Sequence, residues 1–222
     1  MTAVLIAKED EDDLRIAVGG LKALWGIGGV LHWVDHTRGR KADRRTRIAQ
    51  TLGALPLTVI HVVLDKTSVW EDSALRTQQA VQYNYATRYL LERVVTAAQR
   101  WPGGERVAQV MFGMVGGVDS RSTLAYLNHV ATHPTNVPVP WANMLWQPVW
   151  RPTHAHLGLQ AADAYSGMLT AAVRDDKPAC LVATKHQLFR YRNQLYGWGI
   201  KTMPDERLLI HRDWWRETMR AK

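Results

Sequence analysis

The chain has 222 residues, with 28 Lys and Arg against 20 Asp and Glu, a formal net charge of +8 and one cysteine, Cys180. That length suits one domain with its own core, and a lone cysteine excludes both an intramolecular disulfide framework and a cysteine-based zinc site while agreeing with a reducing, cytoplasmic setting. Met1 to Ala7 is too short an apolar run for a secretory signal, no apolar stretch is long enough to span a bilayer, and the basic balance favours a polyanionic partner.

Val4 to Ala7 is a candidate strand and Leu14 to Leu24 a helix opened by acidic residues. Gly26, Gly28 and Gly29 end it; this cluster lacks the Lys-Ser/Thr ending of a phosphate loop and follows a helix rather than a strand, so it reads as a turn. After the segment from His32 to His36 comes a basic run of Arg38, Arg40, Lys41, Arg44, Arg45 and Arg47. Concentrated cations of this kind release counterions from a phosphate backbone, although a solvated helix face has the same composition.

Ala42 to Leu55 is expected to be helical up to Pro56, and Leu57 to Leu64 is a β-branched apolar run typical of a buried strand. Asp65 and Lys66 then fall at the strand's carboxyl end, where ligands collect in open α/β sheets and where Asp also favours turns. Gln78 to Arg100 carries a long helical period stopped by Trp101-Pro102-Gly103-Gly104, with Glu92 and Arg93 inside it. Val107 to Val115 reads as a strand, Ser122 to Thr132 as a helix, Pro134 to Pro140 as a connector and Met144 to Trp150 as a further strand. Asp119 lies in an ordinary Gly-Gly-Val-Asp-Ser turn.

His154 and His156 lead into Gly158-Leu159-Gln160-Ala161-Ala162-Asp163-Ala164, which opens a helix through Ala172 and sets one carboxylate among small and apolar residues. Gln160, Asp163 and Gly167 share a face, and Gly167 leaves room for a close approach. A carboxylate in such surroundings needs a metal, a cation or strong donors, or else is an ordinary first-turn acid favoured by the helix dipole. Asp175 to Pro178 is a turn, and Leu188 to Leu195 is expected to form a final helix before a turn at residues 196–200. Trp214 and Trp215 suit docking onto the core or stacking on bases, beside a basic tail of Arg212, Arg216, Arg220 and Lys222. The alternation of strands and helices predicts a mixed sheet with helices packed on it.

The Gly158–Asp163 passage resembles the G-L-Q-x-A-D helix of the domain of unknown function 3800 family, whose fold is similar to ribonuclease H. Leu57 to Lys66 looks like that family's strand ending in Asp-Lys, Tyr83 to Arg93 like its central helix, and His32-Trp33-Val34-Asp35 like the segment before the Asp-Lys strand. The likeness runs in order over nearly the whole chain. It implies one ribonuclease H-like domain with a C-terminal extension from about residue 186, and metal-dependent nucleic-acid chemistry.

In that chemistry carboxylates hold Mg²⁺ or Mn²⁺. The resemblance makes Asp163 and Asp65 the metal ligands, with Glu92 and Asp35 in reserve, Lys66 on the phosphate, His32 in proton transfer, and Gln160 and Arg93 in support. The family's acidic first strand, Asp-Glu-Ser-Gly, has no counterpart, because Met1 to Ala7 and the acidic residues after it match the second strand. Two readings follow: a start upstream of Met1, or a member that lost this strand and its chemistry. The chain as it stands is expected to bind metal weakly and cleave little. The rival class is a non-catalytic nucleic-acid-binding or regulatory protein that kept the fold.

Overall fold

A computed structural model describes residues 1–133 and 138–219, the side chains of Arg40 and Thr218 excepted. Part of the expected 134–140 connector, the Arg40 side chain, Arg220 and Lys222 lie outside the described residues.

The protein is a mixed α/β fold. The Thr58–Leu64 strand (β2) forms where expected, directly after Pro56, because Val59, Ile60, Val62 and Val63 favour a pleated, buried backbone. It is the middle strand of three. Thr2–Leu5 (β1) pairs with it antiparallel and Ile200–Met203 (β5) parallel. The Met111–Gly113 (β3) and Val149–Arg151 (β4) strands make a separate parallel pair, much shorter than the runs expected there.

Helices cover both faces of the three-stranded sheet, as alternation along β2 demands. Val59 and Val63 face a core built by Glu11–Leu24 (α1), Arg44–Gly53 (α3) and Leu157–Arg174 (α7). Ile60 and Val62 face Ala86, Leu90, Val94 and Ala97 of the Gln79–Gln99 helix (α5). Between α1 and α3 lies the short Trp33–Thr37 helix (α2), and between β2 and α5 the Ala74–Thr77 turn of helix (α4). The Ser120–Thr132 (α6), Ala179–Ala183 (α8) and Arg207–Ile210 (α9) helices complete the described set.

One helix carries both sheets. The Leu90 and Val94 side of α5 lies under β1 and β2, while Leu91 and Val95, further round its surface, pack with Phe112 of β3 and Leu127 of α6. Arg93 reaches the other way, to the Gly197 carbonyl beside β5. The two sheets therefore pack on adjoining sides of α5. Val62 N–H bonds the Met1 carbonyl, so the amides of Thr2 and Val4 turn away from β2; Val149 N–H bonds Val110 and Met114 N–H bonds Arg151, so those of Met111 and Gly113 turn away from β4. These outward amides have no hydrogen-bond partner among the described residues.

The C-terminal third departs from the expected pattern. Residues 188–195 are not a helix: Leu188 bridges to Val59 at the start of β2, and Arg192 and Asn193 adopt positive φ (50° and 64°) in a tight turn closed by Tyr191 and Gln194. The chain then supplies β5, which the sequence did not suggest. Trp214 and Trp215 are buried against α7 and the core, where Trp215 Nε1 donates to Glu206 at 2.9 Å.

His61 sits in β2 with no solvent exposure. Its Nδ1 lies 2.9 Å from Thr2 Oγ1, and its Nε2 has no partner among the described residues. Burial, aided by the nearby Met1 ammonium, depresses its pKa to about 3, so the folded state keeps it neutral. The unfolded chain takes up a proton near pH 6.5, so this group's contribution is complete above that value and declines on acidification until the folded-state pKa is reached. Stability is expected to fall by about 1.4 kcal/mol per pH unit from this group in that window. Urea melts at pH 7, 6, 5 and 4 should show a shallower acid decline in His61→Leu than in the parent; parallel declines would mean that His61 is not the titrating group.

Candidate functional site

The Asp163 helix exists, and its shared face is occupied by the protein's own chain. His156 opens α7 by accepting the Gly158 N–H at 3.2 Å on Nδ1. One turn on, the fully buried Gln160 accepts the Leu31 N–H at 2.8 Å and donates to the Thr153 carbonyl at 3.3 Å. Asp163 Oδ2 accepts the Trp33 N–H at 2.9 Å. A further turn along, the Trp33 indole lies so close over Gly167 that any Cβ there would overlap the ring. Hence the inference of close approach at Gly167 holds, and what approaches is residues 31–33.

Asp163 thereby caps a helix that cannot cap itself. α2 begins at Trp33, and His32 in the N-cap position makes no side-chain cap. The first amides of a helix need acceptors, and a carboxylate there also meets the positive end of the dipole. Only one oxygen is used: Oδ1 has no partner among the described residues, and the side chain is 31% exposed. Leu31 and Trp33 are both buried, so alternation turns His32 outward, and its Nδ1 comes to 3.3 Å from Asp163 Oδ2. The imidazole is 48% exposed. A carboxylate facing Nδ1 favours the tautomer that leaves the Nε2 lone pair free, the arrangement a proton acceptor needs. His36 Nδ1 sits 3.0 Å from the His32 carbonyl oxygen, and Asp35 is exposed.

The other expected site residues are held elsewhere. Asp65 ends β2 as placed, but its carboxylate closes a local turn: Oδ1 accepts from Thr67 N–H at 3.0 Å and Thr67 Oγ1 at 2.6 Å, and Oδ2 from Ser68 Oγ at 2.7 Å. Burial works to raise its pKa, and the bonds from Thr67 and Ser68 outweigh that, holding it below the usual range. Asp65 and Asp163 share no partner, and no group of three or more His, Cys, Asp or Glu among the described residues is placed to hold an ion. Lys66 is exposed beside Asp65.

Glu92 pairs along its own helix, with Arg88 at 2.8 Å and Arg93 at 3.8 Å. Arg93 donates to the Tyr89 carbonyl at 2.6 Å and to Gly197, and lies over the Tyr89 and Trp198 rings. Arg93 thus turns toward the 197–198 turn, and neither Arg93 nor Glu92 is bonded to Asp163 or His32. Asp119 accepts the Arg121 and Ser122 amides as the N-cap of α6, the turn role expected of it. His154 is exposed, and His156 is 3.8 Å from Glu11.

The basic run lies against this site through α2. Arg45 Nε donates to the Thr37 carbonyl, the last residue of α2, at 3.1 Å, and its guanidinium lies 5.9 Å from the Trp33 ring. Arg45 is therefore structural in part. Lys41 reaches the Asp35 carbonyl at 3.4 Å. Arg38 and Arg47 are exposed, and Arg44 lies 4.8 Å over Trp25, a residue the sequence pattern had not singled out. None of Arg38, Lys41, Arg44, Arg45 and Arg47 has a carboxylate partner among the described residues, whereas Arg88, Arg106, Arg207, Arg212 and Arg216 all do. Five cations without a carboxylate partner among the described residues thus fall within ten residues of sequence.

Comparisons with known protein families, curated proteins and solved structures find no match to this chain. Among the described residues no helix is long and apolar enough to cross a membrane.

Gly167→Ala tests the docking of residues 31–33 on α7. The added methyl must push Trp33 off the helix, at a cost of about 1–3 kcal/mol typical of overpacking. Equilibrium urea denaturation should show that loss; an unchanged midpoint would mean that the indole moves aside freely and that Trp33 does not fix the Asp163 contact.

Proposed function

We propose that this protein is a ribonuclease H-like, nuclease-related protein that engages nucleic acid. One observation carries the reading. The Asp163–His32 pair and the basic helix α3 are linked through a single short element, since Asp163 holds the first amide of α2 and Arg45 holds its last carbonyl. An anionic backbone drawn to α3 is thereby brought beside a carboxylate with a free oxygen and an imidazole with a free nitrogen.

A divalent ion fits this reading on the chemistry of the donors. Asp163 Oδ1 is an oxygen ligand without a partner among the described residues, and Mg²⁺ often binds through one or two carboxylates while keeping its waters. When bound, such an ion activates water and neutralises charge on a phosphodiester. His32 would take a proton at Nε2, and Asp163 would orient it. The resemblance assigns a further acid to an Asp-Glu-Ser-Gly strand, which has no counterpart in this sequence. Without that acid the site supports weak metal binding and little cleavage.

A second reading, a non-catalytic nucleic-acid-binding protein, is favoured by Asp65, whose oxygens are committed to Thr67 and Ser68. Thermal melts with and without Mn²⁺ separate the two. The parent should gain stability from millimolar Mn²⁺, and Asp163→Asn should lose that gain while melting normally without the ion, because the amide oxygen still accepts the Trp33 N–H. No effect of the ion on the parent would leave Asp163 as a cap alone. Strong Mn²⁺-dependent cleavage abolished by Asp163→Asn would show that another acid already completes the site.

A further inference from the structure

The turn that ends α1 and the first two turns of α3 enclose an open groove of about 390 Å³, lined by Leu24, Trp25, Asp43, Arg44, Arg47 and Gln50. Its volume lies within the range of small-molecule pockets, roughly 300–1,000 Å³. Trp25 is wedged between the core and the Arg44 guanidinium, 4.8 Å from the ring centre. Leu24 beside it is 62% exposed. Arg47 follows Arg44 by three residues and so lies on the same face of α3. Neither arginine has a carboxylate partner among the described residues, and Asp43 at the rim is the one acid in the lining.

We infer that this groove binds one nucleotide of a single-stranded nucleic acid. The inference rests on the nucleic-acid reading above and specifies its ligand. An unstacked base lies against Leu24 and the Trp25–Arg44 stack, and Arg44 and Arg47 take the adjoining phosphates as charge-assisted donors. Duplex is the poorer ligand, because its bases are stacked on one another and present no free face to Leu24 and the Arg44 guanidinium. Arg45, one residue from Arg44, points to Thr37 instead, so the basic run divides between holding α2 and holding the strand.

The test is fluorescence anisotropy with a labelled single-stranded oligonucleotide, a duplex of the same length, and inorganic polyphosphate as competitor, each over a series of salt concentrations. The single strand should bind the parent more tightly than the duplex. Arg44→Ala and Arg47→Ala should each weaken it several-fold and flatten the log–log salt slope by about 0.7, the value for one phosphate contact on a single strand. Leu24→Ala should weaken the oligonucleotide but leave the polyphosphate unchanged. Arg207→Ala, at an exposed arginine paired with Asp205, should change nothing. Arg47 is exposed, so Arg47→Ala remains informative if Arg44→Ala disturbs Trp25. Equal binding of duplex, or an unaltered affinity and slope in Arg47→Ala, would overturn the assignment. Absence of any oligonucleotide binding would overturn it too, while the metal site at Asp163 is judged separately by the Mn²⁺ melts.

Discussion

Two side-chain acceptors on one helix face determine where residues 31–33 of this protein sit. Gln160 and Asp163 each take a backbone N–H from residues 31–33, and Gly167 lets the Trp33 indole close against the helix. A buried amide left without an acceptor costs about 1–3 kcal/mol, so the segment has one register in which Leu31 and Trp33 are buried and both amides are satisfied. From that register follow the outward turn of His32, the start of α2 at Trp33, and the anchoring of Arg45 on Thr37. The same carboxylate that fixes the chain keeps one oxygen free. Structural and chemical uses of Asp163 are therefore compatible, and the pair of oxygens divides them.

The sheet applies a different constraint. β2 is buried on both faces and paired on both edges, which is why it tolerates only a narrow set of side chains and why His61 stands out among them. A neutral imidazole with one satisfied nitrogen can occupy that place, whereas a charged one cannot, since burying an unpaired charge costs far more than burying a polar group. β1 shares this layer but is paired on one side only. Its outward amides and those of β3 take no part in the hydrogen bonds among the described strands.

Periodicity made much of this architecture readable in advance, and direction is what it withheld. β2, α5 and α7 follow from long, regular patterns, and their ends from Pro56, from Trp101-Pro102-Gly103-Gly104 and from the Asp175–Pro178 turn. β5 was hidden because four residues, one of them Lys201, give too short an alternation to register; the lysine is tolerated because its ammonium sits over the Tyr196 ring. Apolar residues at 188, 189 and 195 imitate a helical face, while nothing in side-chain pattern announces the positive φ of Arg192 and Asn193. At the candidate site the residue types were legible and their orientations were not. Asp65 and Asp163 are both acids after apolar stretches, yet one is consumed by hydroxyls two and three residues on and the other by an amide 130 residues away. Local sequence encodes the first kind of partner and long-range packing the second.

The arginines show the same division between what charge predicts and what geometry assigns. A net charge of +8 is a property of the whole chain, but most of the described arginines away from the 38–47 segment are matched to carboxylates or carbonyls that fix turns and helix ends. Surface pairs of this kind contribute at most about 1 kcal/mol each, and their larger effect is to remove those cations from long-range competition for a polyanion. Arg47 is exposed and Arg44 half-buried over Trp25 at a groove, and Arg45 between them is turned to Thr37. A basic run read as one patch is thus two devices on one helix, one that fastens α2 under the Asp163–His32 pair and one that faces outward, and the three-residue spacing of Arg44 and Arg47 around an inward Arg45 is what a helix requires for both to coexist.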